Sequence, residues 1–192
     1  MQKPTETHWS AVKWILRYLK GTISDCLVFS KMHDSRLVTF TDAGWASDPD
    51  DCRSQHGFSV YYGGNLISWS SRKQHVVSRS STEAEYRAIA FATAELIWIQ
   101  QLLQEMGTPF TAPPIVLCDN LSATFLTANP VFHQRSKHIK IDYHFIREQV
   151  QSGELVVRHV RSNDQVADIF TKAVGTALFQ ALRRRLLVRP PR

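Results

Sequence analysis

The fold is decided by residues 36–70, which read RLVTFTDAGWASDPDDCRSQHGFSVYYGGNLISWS. Three runs in this stretch, at residues 36–41, 57–62 and 66–70, are rich in β-branched, aromatic and other apolar residues and predict strands. The first run leads directly into Asp42. Between the second and third runs, Gly63-Gly64-Asn65 supplies the positive-φ residues that a tight hairpin requires. The stretch therefore predicts three successive antiparallel strands.

The segment before these strands predicts a helix and a further short strand. From Thr7 to Lys20, apolar side chains form one helical stripe, basic side chains form another, and Gly21 follows as a stop signal. We expect this amphipathic helix to dock on another surface. The run Cys26 to Phe29 predicts the short strand.

The segment after these strands alternates between helical and strand patterns. The predicted elements are a helix at Ser80–Met106, a strand at Ile115–Cys118, helices at Leu121–Ala128 and His138–Gln151, a strand at Glu154–Val160, and helices at Gln165–Ala173 and Ala177–Leu187. This order predicts an α/β domain.

The composition restricts the setting of the protein. The 192 residues suit a single domain with a short appendage, and the formal net charge of +6 favours polyanionic partners. Cys26, Cys52 and Cys118 form no CxxC pair, so neither a disulfide framework nor a thiolate zinc site is indicated. This cysteine usage favours a reducing, intracellular setting. The sequence also predicts no membrane span and no signal-peptide core. The chain begins and ends abruptly, so we expect it to be a piece of a longer polypeptide.

Two aspartates follow predicted strands. Asp42 comes after the first strand of the opening stretch, where an isolated aspartate is more often a turn former. Asp119 follows the strand Ile115–Cys118 and precedes a helix, so it is either a helix cap or a functional carboxylate. Asn120 is available as the alternative cap.

Two further carboxylates lie at predicted helix starts. Ser80 and Glu83 have capping-box spacing, which explains Glu83 structurally, whereas Glu85 points to the apolar face of the same helix. A carboxylate on such a face is costly unless it is paired or binds a metal. Asp168 precedes Lys172 by four residues, and its alternative interpretation is an ordinary surface ion pair.

Together, Asp42, Glu85, Asp119 and Asp168 suit a magnesium site. Mg²⁺ prefers oxygen ligands, and a site for two ions needs several carboxylates converging from separate elements. Without metal the carboxylates would repel one another and some of their pKa values would rise.

The sequence closely resembles the ribonuclease H domain of copia-type LTR retrotransposon Pol polyproteins, through blocks that run along nearly the whole chain. The matching blocks are residues 41–46 (TDAGWA), 67–74 (ISWSSRKQ), 80–86 (SSTEAEY), 118–120 (CDN), 137–148 (KHIKIDYHFIRE) and 165–172 (QVADIFTK).

This resemblance implies a ribonuclease H-like fold, with a five-stranded mixed sheet of three antiparallel and then two parallel strands, flanked by helices. It implies hydrolysis of the RNA strand of RNA–DNA hybrids during reverse transcription, leaving 5′-phosphate and 3′-hydroxyl ends. The family's metal-binding catalytic quartet maps onto Asp42, Glu85, Asp119 and Asp168, with two Mg²⁺ ions as cofactor and Mn²⁺ as a possible substitute. His159 is the nearest match to a mobile histidine that assists proton transfer or product release, although a packed or hydrogen-bonded histidine is an equally good interpretation.

The resemblance also predicts the domain organisation and partners. Residues 1–21 match the end of a reverse-transcriptase region, residues 22–188 the ribonuclease H domain, and residues 189–192 are expected to be a disordered tail. The expected partners are an RNA–DNA hybrid and the reverse-transcriptase domain of the same polyprotein, with no membrane; the oligomeric state is left open. The expected location is cytoplasmic, within virus-like particles.

Other polar residues have weaker interpretations. Arg72, Lys73 and Arg79 are candidates for holding phosphates, with simple solvation as the alternative. The remaining candidates do not form a convincing zinc ligand set and are interpreted as helix-surface or core residues; they are His133, His138 and His144.

Two other functions are alternatives to hydrolysis of the hybrid. An integrase or transposase would use two aspartates and a helical glutamate, and Asp119 and Glu154 have a suitable separation, but Glu154 opens a predicted strand. The other alternative is a catalytically silent domain that binds hybrid or serves a structural role in a degenerate retroelement polyprotein.

Overall fold

The computed structural model describes residues 3–31, 34–108, 110, 112–128 and 139–191. The strands in these ranges are β1 (Cys26–Leu27), β2 (Leu37–Gly44), β3 (Gln55–Tyr62), β4 (Asn65–Lys73), β5 (Ile115–Cys118), β6 (Val156–His159) and β7 (Val188–Arg189). The α-helices are α1 (Glu6–Gly21), α2 (Ser81–Glu105), α3 (Leu121–Ala128), α4 (Lys140–Gln151), α5 (Asp168–Thr171) and α6 (Thr176–Arg185).

The main sheet has the predicted mixed topology. In the part of the chain that the structure describes, it contains five strands in the order β4-β3-β2-β5-β6. Strands β2, β3 and β4 are antiparallel, whereas β5 is parallel to β2 and β6 is parallel to β5. The β3–β4 hairpin turns through Gly63 and Gly64, whose φ angles are 55° and 81°, as the Gly-Gly-Asn sequence predicts.

Helix α2 covers one face of the sheet. Its side chains Ile89 and Leu96 are fully buried against a core that includes Leu37 and Val60. The spacing of alanines along α2, such as Ala88, allows the helix axis to lie close to the sheet because these side chains are small. Burial of each large aliphatic side chain contributes about 1.5–3 kcal/mol, so this face provides much of the driving force for folding.

The opposite face of the sheet is packed by the C-terminal segment. Tyr61 and Leu66 contact Val166 and Leu186 in a second apolar cluster. Helix α5 approaches β3 so closely that a Cβ atom added to Gly57 would lie 2.4 Å from Phe170 Cβ. This close approach holds α5, and with it Asp168, against the sheet.

Several predicted boundaries are wrong, three of them as follows. Strand β2 does not stop at Asp42 but continues to Gly44, because Asp42 pairs with Gly57 of β3. The helix predicted at 165–173 is limited to α5, and a 3-10 turn at Ser162–Asp164 precedes it. Arg189, assigned to a disordered tail, pairs instead with Cys26 in a two-stranded sheet of β1 and β7. The predicted helix start at His138 lies outside the described residues.

Helix α1 forms as predicted but stands apart from the core. Its first turn is capped by Thr5, whose hydroxyl accepts from the His8 backbone N–H, while the His8 ring accepts from the Thr5 N–H. All sixteen of its residues are described, and none of them is buried. Among the described helices, none combines the length and apolarity needed to cross a bilayer.

Candidate metal centre

Three aspartates meet at one edge of the sheet. Asp42 lies near the end of β2, and Asp119 directly follows β5, its parallel neighbour, so both carboxylates lie at the same edge. Asp168 is the first residue of α5, which packs against this edge. One carboxylate oxygen from each of the three lies within 4.8 Å of the others. Asp42 is fully buried and Asp168 nearly so.

Glu85 joins this cluster from the first turns of α2. Its carboxylate lies within 4.8 Å of ligand atoms of Asp119 and Cys118, and the side chain is buried. Burial, followed by the negative charges of Asp42 and Asp119, raises the pKa of Glu85 to about 9. The structure therefore brings together all four carboxylates that the sequence singles out.

Glu83 has the structural role that its spacing predicts. Its backbone N–H donates to Ser80 Oγ at 3.2 Å, and its carboxylate accepts from the Arg79 backbone N–H at 3.0 Å. The same carboxylate forms an ion pair with Arg87 at 2.8 Å. Glu83 differs from the standard capping box only in that its side chain reaches Arg79 and not Ser80.

Asn120, and not Asp119, caps helix α3. Asn120 Oδ1 accepts from the Ala123 backbone N–H at 2.9 Å. The sequence leaves open whether Asp119 is a helix cap. Because Asn120 already caps α3, Asp119 is not needed for that role.

Lys172 and Thr171 contact the aspartates directly. Lys172 Nζ lies 3.1 Å from Asp42 Oδ1 and 2.8 Å from Asp168 Oδ1. The Thr171 hydroxyl donates a short hydrogen bond to Asp42 Oδ2. Although burial lowers it, the pKa of Lys172 is raised overall by its contacts with Asp168 and Asp42. The pKa of Asp168 is raised by burial, which outweighs the opposing effect of Lys172.

The sequence predicts the pair of Asp168 with Lys172 but misses three contacts. Lys172 and Thr171 each donate to Asp42. The Cys118 thiol lies 3.6 Å from Glu85 Oε2. Burial, followed by the charge of Glu85, raises the pKa of Cys118 well above its usual range. All three residues lie inside the motif blocks, which is the signal that could have identified them.

His159 lies at the end of β6 beside the site. Its Nε2 atom is 3.2 Å from the Asp119 backbone oxygen, and its side chain is exposed. The histidine is thus both hydrogen-bonded and solvent-accessible, and its proposed role in proton transfer stays a prediction.

The other polar candidates lie away from the carboxylates or have other partners. Lys73 pairs with Asp48 at 2.5 Å and Asp51 at 2.9 Å, whereas Arg72 and Arg79 are exposed. Glu154 lies in the turn between α4 and β6, at the opposite end of β6 from the site. His144 lies on α4, while His133 and His138 lie outside the described residues.

The donor set fits hard divalent cations. Its oxygens come from separate elements, and Mg²⁺ and Mn²⁺ prefer such ligands. Burying Glu85 beside two other carboxylates is costly without a compensating positive charge, which a bound cation would supply. The ammonium group of Lys172 provides one positive charge at Asp42 and Asp168, but in the described contacts it does not reach Glu85.

Solved structures that share this fold include two that are described as RNase H proteins. LC11-RNase H1, isolated from compost by a metagenomic approach, shares 20% identity with a TM-score of 0.53, covering 71% of this chain and 93% of that one. The N-terminal RNase H domain of a Mycobacterium tuberculosis protein, solved as a maltose-binding-protein fusion, shares 14% identity with a TM-score of 0.51, covering 79% and 98%. The fold is therefore that of the ribonuclease H class.

Sequence relatives identify the family more narrowly, although no family model matches the chain. The Pol polyprotein from transposon RE2 of Arabidopsis thaliana is 51% identical over 97% of this chain, and that from transposon TNT 1-94 of Nicotiana tabacum is 42% identical over 94%. The chain belongs to the family of copia-type retrovirus-related Pol polyproteins. It spans 13% of the length of each of these two relatives.

Proposed function

We propose that this domain hydrolyses the RNA strand of RNA–DNA hybrids with the help of two divalent metal ions, Mg²⁺ or Mn²⁺. The observation that carries the proposal is the convergence of four carboxylates from β2, α2, the end of β5 and the start of α5 at one edge of the sheet. Ion pairing alone does not require such a set, because Lys172 contacts only two of its members.

The four carboxylates would hold the ions between them. Bound ions would supply activation of the attacking water and neutralisation of charge at the phosphate. In this scheme Glu85 is protonated at neutral pH without metal and gives up its proton when cations are bound. The Lys172 side chain is 43% exposed, so its ammonium can turn towards solvent when Asp42 and Asp168 take up cations.

Other residues would serve the substrate. His159 is exposed beside Asp119 and is our candidate for moving a proton to the leaving group or assisting product release, with 5′-phosphate and 3′-hydroxyl ends as products. Arg72 and Arg79 are exposed and free to approach phosphates, whereas Lys73 is held by two aspartates. Contacts to 2′-hydroxyls would distinguish RNA from DNA.

The relatives extend far beyond this chain, which supports a role within a larger polyprotein. We propose that residues 1–21 join the domain to a reverse-transcriptase region, and that the exposed apolar side chains of α1 meet that region. The foamy viral protease-reverse transcriptase, solved in complex with an RNA/DNA hybrid, shares this fold with a TM-score of 0.54 at 13% identity, over 75% of this chain and 21% of that one.

Cleavage of a labelled hybrid tests this function. Wild-type protein is expected to cut the RNA strand with Mg²⁺ or Mn²⁺ and to stop when the metal is chelated. Asp42→Asn and Asp119→Asn should each slow cutting by at least about 100-fold, because even residues that only support metal ligands cost 10–100-fold when changed.

Glu83→Gln and Glu154→Gln are the matched controls for this assay. Glu83 caps α2 and Glu154 lies at the far end of β6, so both variants should cut at the wild-type rate. A quartet variant that cuts like wild type would show that the site is assigned wrongly.

A catalytically silent domain is the second candidate. It is favoured by one observation, the ion pairs of Lys172 with Asp42 and Asp168, which partly neutralise the cluster without metal. Wild-type protein that binds hybrid but cuts with neither ion would establish this alternative.

A further inference from the structure

The side chain of Gln165 connects the two backbone segments that carry Asp42 and Asp168. The side chain is fully buried, and its Nε2 donates to the Thr41 carbonyl oxygen at 2.8 Å. Its Oε1 accepts from the Ala167 backbone N–H at 3.2 Å. Thr41 directly precedes Asp42, and Ala167 directly precedes Asp168. One amide therefore ties together the backbone that carries two carboxylates 126 positions apart, the difference between 168 and 42.

Gln74 makes an equivalent contact at the third carboxylate. It is also almost fully buried, and its Nε2 donates to the Ala84 carbonyl oxygen at 2.9 Å. Ala84 directly precedes Glu85. The Gln74 Oε1 accepts from the Ser78 hydroxyl at 3.0 Å, which fixes the orientation of the amide.

We infer that Gln74 and Gln165 are positioning residues that set the separation of Glu85, Asp42 and Asp168 and thereby the affinity of the site for divalent cations. The inference rests on the proposed function, because it concerns the same metal site. A metal site requires its ligands to be held within about 0.5 Å of the productive geometry by supporting hydrogen bonds. The carbonyls of Thr41 and Ala84 lie one residue before a ligand, so a shift in either backbone moves that ligand directly.

The amide of Gln165 satisfies both of its partners without carrying a charge. The Thr41 carbonyl can only accept a hydrogen bond, and the Ala167 N–H can only donate one. A glutamate in this place would keep the second contact, but when ionised it would turn an oxygen without a proton towards the Thr41 carbonyl. A methionine would fill a similar volume and lose both contacts, leaving two backbone groups without their partner.

Two measurements on the full chain test the inference, namely metal binding without substrate and hybrid cleavage. Binding of Mn²⁺ is followed by the electron paramagnetic resonance signal of the free ion, and hybrid cleavage is measured over a range of Mg²⁺ concentrations. The variants are Gln165→Glu, Gln165→Met and Gln74→Met, with Ser78→Ala as a milder change that removes only the contact orienting Gln74. All titrations run well below the lowest melting temperature of the set.

Asn65 offers a matched control. It is a buried amide that accepts from the Ser30 N–H at 2.8 Å and donates to the Ser30 carbonyl at 3.1 Å, on β4 and away from the carboxylates. Asn65→Asp and Asn65→Leu therefore repeat the chemistry of the Gln165 changes at a site that holds no metal ligand.

The expected result is a Mn²⁺ dissociation constant raised at least about tenfold in the three glutamine variants, with cleavage restored at high Mg²⁺. The Ser78→Ala variant should shift in the same direction by a smaller factor, and both Asn65 variants should stay within about twofold of wild type. Glutamine variants that melt earlier but bind Mn²⁺ like wild type would overturn the inference and leave the proposed function intact. Wild-type protein that binds neither ion would overturn both.

Discussion

At the scale of single residues, Glu85 and Lys172 affect the stability of the metal-free protein in opposite directions. Glu85 has a folded-state pKa of about 9, against 4.5 when unperturbed. A carboxyl group whose pKa is raised on folding destabilises the fold as the pH rises from the unfolded value through the folded value. Metal-free protein should therefore lose stability between about pH 4.5 and pH 9 because of this group.

Glu85→Gln should raise the melting temperature of the metal-free protein at pH 7–8 and leave it unchanged near pH 4. Each kcal/mol gained corresponds to roughly 2–4 °C for a domain of this size. Thermal melting across this pH range with chelator provides the measurement. Added Mg²⁺ should stabilise wild type but not the variant, and a variant that melts below wild type at pH 8 would contradict the raised pKa.

Lys172→Met should have the opposite effect. Removing the ammonium leaves Asp42 and Asp168 close together without their shared positive charge. Loss of one partner of a fully buried pair costs about 3–5 kcal/mol, and the partial exposure of Lys172 reduces the expected cost to about 1–3 kcal/mol. Chemical denaturation without metal measures this loss, and Mg²⁺ should recover more stability in the variant than in wild type. Equal stability without metal would mean that the ion pairs are energetically unimportant.

The sequence predicts the four carboxylates of the site more reliably than the residues that contact them. Asp42, Glu85, Asp119 and Asp168 stand out because each is an acidic residue at an element boundary or on an apolar face. The contacts of Gln165 with Thr41 and of Lys172 with Asp42 join residues more than 120 positions apart, which no local pattern encodes.

At the scale of elements, the prediction succeeds where local periodicity decides and fails where distant pairing decides. Helix α2 and strands β3 to β5 follow from their own sequences. Strand β7 forms only because β1 lies beside it, and α5 is short because the residues before it fold back through Gln165 towards β2. Such tertiary effects override local propensity.

The position of α5 depends on the absence of a side chain at Gly57. Gly57→Ala would place a methyl group 2.4 Å from Phe170 Cβ and 3.2 Å from the Ser70 carbonyl oxygen. Overpacking of this kind costs about 1–3 kcal/mol, and here it would push α5, with Asp168, away from β3. We expect a lower free energy of unfolding together with weaker Mn²⁺ binding, measured by denaturation and metal titration.

Gly21→Ala is the control, since a Cβ atom there would have no neighbour within 4 Å. This variant should leave both quantities unchanged. A Gly57→Ala variant with wild-type stability would show that α5 can shift without cost.

At the scale of the whole molecule, none of the residues of α1 is buried against the ribonuclease H fold. Six large apolar side chains of α1 are 46–68% exposed, namely Trp9, Trp14, Ile15, Leu16, Tyr18 and Leu19. Among the described residues, its ring contact with the remainder of the chain is that of Tyr18 with Phe179, at 5.9 Å between centroids. The domain boundary after residue 21, which the resemblance implies, stays a prediction.

Removing residues 1–21 should therefore leave the remaining domain folded, with a change in free energy of unfolding of no more than the 0.5–1.5 kcal/mol typical of one aromatic pair. Denaturation of the shortened chain measures the change, and Tyr18→Ala in the full chain should produce a shift of the same size, because both remove the same ring contact. The shortened chain should also aggregate less, since it lacks the exposed apolar side chains of α1. If it unfolds, or loses far more stability than Tyr18→Ala, then α1 belongs to the folding unit and the boundary after residue 21 is wrong.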